Sequence, residues 1–214
     1  MAEVFAPDNL FAGSTPESLS GHATIKAASG VLQRGTVLGK IALAIAAPLA
    51  EAGNTGNGIC AGQALGMGAK KGAYAITCIT AHDADPATAA VFMVLDPEGY
   101  RLADATEGVA YAGPIAFTIT PGVATGFAVG DAFTITVGAG SGQYVIVNSD
   151  NRDGSQRPEA ILAQTIDATA AKLACTYVQG CYNEGALIFG GADTADTHRD
   201  TLQARNIILR PVLG

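Results

Sequence analysis

The residues whose types and spacing could do chemistry begin with His82, Asp83 and Asp85 in the string AHDADP. One imidazole and two carboxylates belong to the donor set of a metal ion, but three donors in a polar, Pro-bounded loop between strands read as a solvated turn. Asp150 to Gly154 superficially resembles a calcium loop. With Gly154 at position six, Ser149, Asn151 and Asp153 fall at positions one, three and five, and Ala160 stands where a bidentate Glu belongs, so the match fails. The glycines of GNTGNG do not open a helix after a strand, and neither a phosphate-binding G-x-x-x-x-G-K-S/T nor a nucleophile-bearing G-x-S-x-G string occurs. His22 lies in the N-terminal segment and His198 on the last helix, neither with a nucleophile to serve. Cys60, Cys78, Cys175 and Cys181 lack C-x-x-C spacing and sit mostly in apolar strand patterns, as reduced core residues do. No catalytic residue, metal or cofactor follows from these patterns.

The elements around these residues are strands. Ser141 to Gly191 reads as four or five short strands: Gln143 to Asn148 alternates, Asn148 to Gly154 is a turn of self-bonding side chains, and Pro158 opens a buried run over Ala160 to Ala163. Leu173, Cys175 and Tyr177 share one face of the next strand, and Gly180 is expected to end it. Gly35 to Ala46 is one long apolar strand stopped by Pro48. Further strands are predicted near Ile59 to Leu65, Gly72 to Thr80, Ala89 to Leu95, Ile115 to Thr120 and Asp131 to Val137, a spacing that suits a small β-sandwich. One helix spans about Thr194 to Asn206, capped by Asp193 or Thr194, with Arg205 near its C-terminal end, and Ile207 to Leu213 returns as a strand.

Two Gly-rich hinges, LAEAGNTGNG at Leu49 to Gly58 and GAGSG at Gly138 to Gly142, bracket a self-contained stretch. Residues 49–139 therefore read as an inserted β-sandwich domain in a core made of 31–48 and 140–214. Residues 1–30 have scattered apolar clusters and no period of their own, and they read as an extended arm.

The chain has 214 residues and a formal net charge of −7. Nucleic acid is disfavoured, because affinity there comes from Lys and Arg displacing counterions. The charge is uneven: residues 1–41 balance three acids with three bases, residues 42–139 set eight against three, and residues 140–214 eight against six. The N-terminus lacks the pattern of a signal peptide, and no apolar run reaches the ~20 residues of a membrane helix. A cytosolic product with no membrane partner is expected.

A strand GTVLGKI, a strand QYV, a segment DGSQ.PEAILAQTIDATAA, a strand pair V.G..NEGAL and a closing helix before ARNIILRP follow one another in order. That order resembles the head decoration proteins of tailed phages, the family of the phage lambda head decoration protein D. The likeness runs over Arg34 to Ile41 and Gln143 to Leu187, and more weakly to Leu213; the roughly hundred residues between Ile41 and Gln143 exceed the short members. The resemblance implies a mainly β fold with a β-clip-like trimeric core, one C-terminal helix and the inserted β-sandwich. It also implies a homotrimer on the outer surface of the virion capsid, made in the host cytoplasm. There it would bind the major capsid protein of the expanded head and hold it against packaged DNA, with no catalysis. On this reading Val4, Phe5, Leu10, Phe11, Leu19 and Ile25 are the apolar anchors of a capsid-binding arm. The competing reading makes the insert a module for host glycans or proteins, with Tyr100 and Tyr111 as exposed stacking platforms.

Overall fold

A computed structural model describes residues 9–84, 87–123 and 125–212. In chain order the first strands are β1 (Phe11–Gly13), β2 (Leu19–Ile25), β3 (Gly30–Leu32) and β4 (Val37–Lys40). There follow β5 (Leu43–Ile45), β6 (Leu49–Ala50), β7 (Ile59–Leu65), β8 (Gly72–Thr80), β9 (Asp83–Ala84), β10 (Ala87–Thr88) and β11 (Val91–Leu95). Next come β12 (Ala105–Thr106), β13 (Ala110–Ala112), β14 (Ile115–Thr120) and β15 (Ala132–Ala139). The last part holds β16 (Tyr144–Ile146), β17 (Pro158–Leu162), β18 (Ile166–Ala168), β19 (Lys172–Asn183), helix α1 (Ala195–Gln203) and β20 (Ile207–Arg210). By contacts the chain forms two compact units, one up to Ala42 and from Ser141, the other Leu43–Gly140.

In the first unit β19, β17, β4, β16 and β2 pair in that order, and β2 pairs with β19 again, so the sheet closes on itself. Closure satisfies the main-chain groups that an open edge would leave bare. Period-2 alternation divides the side chains. Ala23, Ile25, Leu38, Leu162 and Ala174 form one buried cluster with Leu32, Ile166 and Ala168 of β3 and β18. Val37, Val147 and Ile161 form a second with Leu10, Tyr182, Leu202 of α1, and Ile207 and Leu209 of β20. The twelve-residue β19 serves both clusters. It pairs with β2 over Lys172 to Gln179 and then, from Gly180 onward, with β20 in parallel and with β1 antiparallel. Gly180 therefore does not end the strand. It sits at φ +145, where a Cβ would lie 2.6 Å from the Tyr182 hydroxyl, and it marks the change of partner.

Helix α1 is shorter than its pattern suggested. Thr194 precedes it, its N–H donating to Thr197 Oγ1 at 3.2 Å, and Asn206 at φ +60 lies just past its end. Arg205 pairs with Glu159 at 3.0 Å. Asp193 is not the cap: burial raises its pKa, but the Ser149 N–H and hydroxyl and His198 Nε2 bring it below the usual carboxylate range. His198 is itself buried and stacks on Phe189. In the turn before β17, Asp153 accepts from the buried Ser155 through both main chain and hydroxyl.

The second unit has a six-stranded sheet, β12-β11-β8-β15-β5 with β6 also on β15, and a three-stranded sheet, β13-β14-β7. They share one core, with Tyr74, Ile76, Phe92, Val94, Phe133 and Ile135 from the first and Tyr111, Ile115, Phe117 and Ile119 from the second. The apolar run Gly35 to Ala46 is thus two strands, β4 and β5, each in its own unit. Between them Ile41 and Ala42 donate to the carbonyls of Gln143 and Asp153.

Asp131 orders the Gly- and Asn-rich loop after β6. Its buried carboxylate accepts from the main-chain N–H groups of Thr55, Gly56 and Ala128 at 2.7 to 2.9 Å. Burial alone would raise its pKa, but these three donors hold it below the ordinary value. A group depressed in this way contributes stability above its unfolded pKa and loses it as pH falls through the lower folded one. Asp131→Ala is expected to cost about 3 kcal/mol or more, and in the wild type this contribution should fade only below about pH 4. Urea unfolding of the whole chain, followed by the amide NMR signals of Ile76 and Phe133 in the second unit at pH 7 and pH 3, checks both.

Candidate functional site

Of the six residues assigned to an arm, Val4 and Phe5 lie outside the described residues. Of the others, Phe11 lies in β1, Leu19 and Ile25 in β2, and Leu10 in the bend just before β1. Leu10 is 2 % exposed in the cluster beneath α1, and Ile25 is fully buried inside the closed sheet. Phe11 stacks edge-on against Tyr177 at 5.3 Å and lies near Tyr182, with the Arg34 guanidinium over its ring. Leu19 is 57 % exposed. Leu10 and Ile25 therefore hold the chain's own fold, and Leu19 faces solvent.

The local reason is pairing at long range. β2 lies along β19, about 150 residues later, with Ala23 opposite Ala174 inside and His22 opposite Cys175 outside. Asn183 fixes the start of the segment by donating to Leu10 O from its N–H and to Asn9 O from Nδ2. The outward side of the β2 and β19 pair carries Ser20, His22, Thr24, Leu173 and Cys175, all exposed, with Tyr177 half-buried. Cys175 is thus an outside residue and not a core one. β1 stands at the end of the strand order, paired with β19.

His82 is not simply a solvated loop residue. Its Nδ1 lies 2.7 Å from Glu107 Oε2, and Glu107 is almost wholly buried. The ring rests on Gly126, where a Cβ would come within 2.7 Å of it. Asp83 is in β9, with its side chain exposed, and Asp85 lies outside the described residues. Among the described residues no group of three or more His, Cys, Asp or Glu is placed to hold a metal ion. Glu107 gave no signal in the sequence, because a Glu beside Gly in a short turn reads as solvated; only its distance from His82 identifies it.

Tyr111 is not a platform. It is buried and stacked on Phe117 at 4.7 Å, which leaves Tyr100, 67 % exposed, without it. Burial pushes the Cys60 thiol up to about 12, so it is an unreactive thiol at neutral pH. Cys78 is buried as well and donates to Thr80 O. No described helix is long and apolar enough to cross a membrane.

No curated protein matches the sequence. Two crystal forms of FlgL from Xanthomonas campestris are similar in structure. One has 20 % identity and a TM-score of 0.33 over 50 % of this chain and 32 % of that one; the other has 19 % and 0.32 over 53 % and 34 %. The chain thus spans about a third of each, and at such scores the likeness carries no argument. The sequence does match a family, described as Bacteriophage lambda head decoration protein D, over residues 2–207. Such a match takes in strands of both units and the helix, and it assigns the chain to the structural proteins that decorate the phage capsid, not to the enzymes. With nearly its whole length inside that match, the chain belongs to the phage lambda head decoration protein D family.

Proposed function

We propose that this protein binds the outside of the expanded phage head as a homotrimer, contacts the major capsid protein, and holds the shell against the pressure of packaged DNA. The family match over residues 2–207 carries the reading. The first unit supplies a surface for it: β1 at the edge of the sheet, Leu19 exposed, and the outward side of β2 and β19. Residues 1–8, immediately before Asn9, are the capsid-binding arm in this proposal, with Val4 and Phe5 as anchors. They bind by adding a strand to the capsid protein, where main-chain hydrogen bonds supply affinity and apolar side chains fill pockets. Three arms on one trimer multiply that affinity, because the second and third bind at high effective concentration. The acidic second unit, with eight acids against three bases, projects away from the shell.

Two measurements on purified protein test this reading. Sedimentation equilibrium is expected to give three times the chain mass of 21.5 kDa. Co-sedimentation is expected to show saturable binding to expanded heads and none to unexpanded ones. A chain that stays monomeric both free and on heads, or that binds both shells equally, contradicts the proposal.

A further inference from the structure

The second unit contains a cavity of about 340 Å³ lined by His82, Thr88, Ala89, Glu107, Gly108 and Pro121. Its walls are mostly apolar, and its polar lining residues are His82, Thr88 and Glu107. One carboxylate oxygen of Glu107, Oε2, is well served: it accepts from the Ala90 N–H at 3.0 Å and lies 2.7 Å from His82 Nδ1. The other, Oε1, is buried and has no hydrogen-bond partner, alone in this among the buried side-chain nitrogens and oxygens of the described residues. Buried polar atoms are nearly always paired, because an unmade bond in a low-dielectric site is costly, and exceptions call for a functional reason. The loss is larger for a carboxylate, which has a charge as well as a lone pair to satisfy.

The surroundings narrow what could satisfy it. No Lys or Arg lines the cavity among the described residues, and residues 42–139 carry eight acids against three bases. Of those bases, Lys70 pairs with Asp96 and Glu98, and Arg101 with Asp104. A cation is therefore favoured over a neutral or anionic ligand. A metal ion is not, since no three metal-ligating side chains converge among the described residues. A sugar is not, since no aromatic side chain lines the cavity to stack on its ring. An alkylammonium ion meets each requirement, with N–H donors and positive charge for Oε1 and methylene groups for Ala89, Gly108 and Pro121.

We propose that the cavity beside Glu107 is a binding site for a small alkylammonium ion, which donates to Glu107 Oε1 and lays its methylenes on Ala89 and Pro121. Oε1 is covered in the free protein, so binding requires the cavity wall to yield around it while the Ala90 N–H and His82 keep hold of Oε2. His82 holds Oε2 and so positions the carboxylate. The cation has two sources, a free diamine or polyamine and the side chain of a lysine on another protein, and both present the same head group.

The test is a two-dimensional NMR titration of the whole chain at pH about 8. The probes are 1,4-diaminobutane, its neutral analogue 1,4-butanediol, calcium chloride, and a short peptide with one central lysine. The diamine is expected to move the amide signals of Ala89, Ala90 and Gly108 in a saturable way, and butanediol and calcium are expected to leave them in place. Saturation by the peptide but not the diamine assigns the site to a protein lysine; saturation by the diamine assigns it to the free ion. Glu107→Gln is expected to weaken binding about tenfold or more, through loss of a charged hydrogen bond. Ala89→Leu, at an exposed position on the cavity wall, fills the site without touching the carboxylate and is expected to abolish binding even if the Gln variant folds poorly. No shift with either cation up to about 10 mM, a weaker affinity than any specific site, overturns the proposal. Equal shifts with butanediol or calcium, or unchanged binding by Ala89→Leu, overturn it as well.

Discussion

Deleting residues 1–21 is expected to unfold the first unit, whereas deleting residues 1–8 is expected to leave it folded and to weaken only its hold on the capsid. The longer deletion removes Leu10 from the cluster under α1, the aromatic contact of Phe11 with Tyr177 and Tyr182, and β1 with the first half of β2. Losing a buried Leu costs about 2 to 5 kcal/mol by itself. The opened sheet and the vacated side of the Phe11 site add to that, so the sum approaches the ~5 to 15 kcal/mol that hold a domain together. Circular dichroism melts of the two deletions separate these outcomes. A cooperative melt for the 1–21 deletion near that of the full chain would show that β1 and β2 are dispensable. Capsid binding by the shorter deletion equal to that of the full chain would show that the sheet face, not the first residues, makes the grip.

The second large effect concerns the acidic unit. Replacing residues 43–140 by a two-residue Asn-Gly turn is expected to leave the first unit folded and in the oligomeric state of the full chain. At the boundary Ile41 donates to Gln143 O at 2.9 Å and Gly142 to Ile41 O at 3.0 Å, so the two chain ends already lie side by side in the antiparallel pairing of β4 and β16. A short turn of that type matches the twist of such a pair. None of the first unit's clustered core residues comes from 43–140. The excised protein should melt cooperatively and sediment as the intact one does, scaled for mass. Insolubility, or an oligomeric state different from that of the full chain, would show that the acidic unit belongs to the main assembly.

The strands of the second unit were the most legible part of the sequence. Ile59 to Leu65, Gly72 to Thr80 and Ile115 to Thr120 keep the bounds their alternation suggested, because turn residues such as Gly66, Pro114 and Pro121 stand at or near their ends. Uniform apolar runs were not legible. Gly35 to Ala46 has no polar break where β4 gives way to β5, so the crossing between units leaves no mark in it. Residues 11–25 looked like an arm because their strands depend on β19, a partner too distant for local propensity to reveal. The site residues followed the same rule. Tyr111 and Cys175 were placed on the wrong side by pattern alone, since an isolated aromatic or thiol does not state which face of a strand is covered. Glu107 could not be found, because what sets it apart is a hydrogen bond to His82, 25 residues away, and an oxygen with no partner.

The central claim is that this protein decorates the expanded head from outside, and a three-dimensional reconstruction of expanded heads incubated with the purified chain tests it most directly. The account predicts three-fold density on the outer surface that accommodates the first unit against the capsid protein, with the acidic unit farthest from the shell. Heads that show no added density, or density on the inner surface, would contradict it.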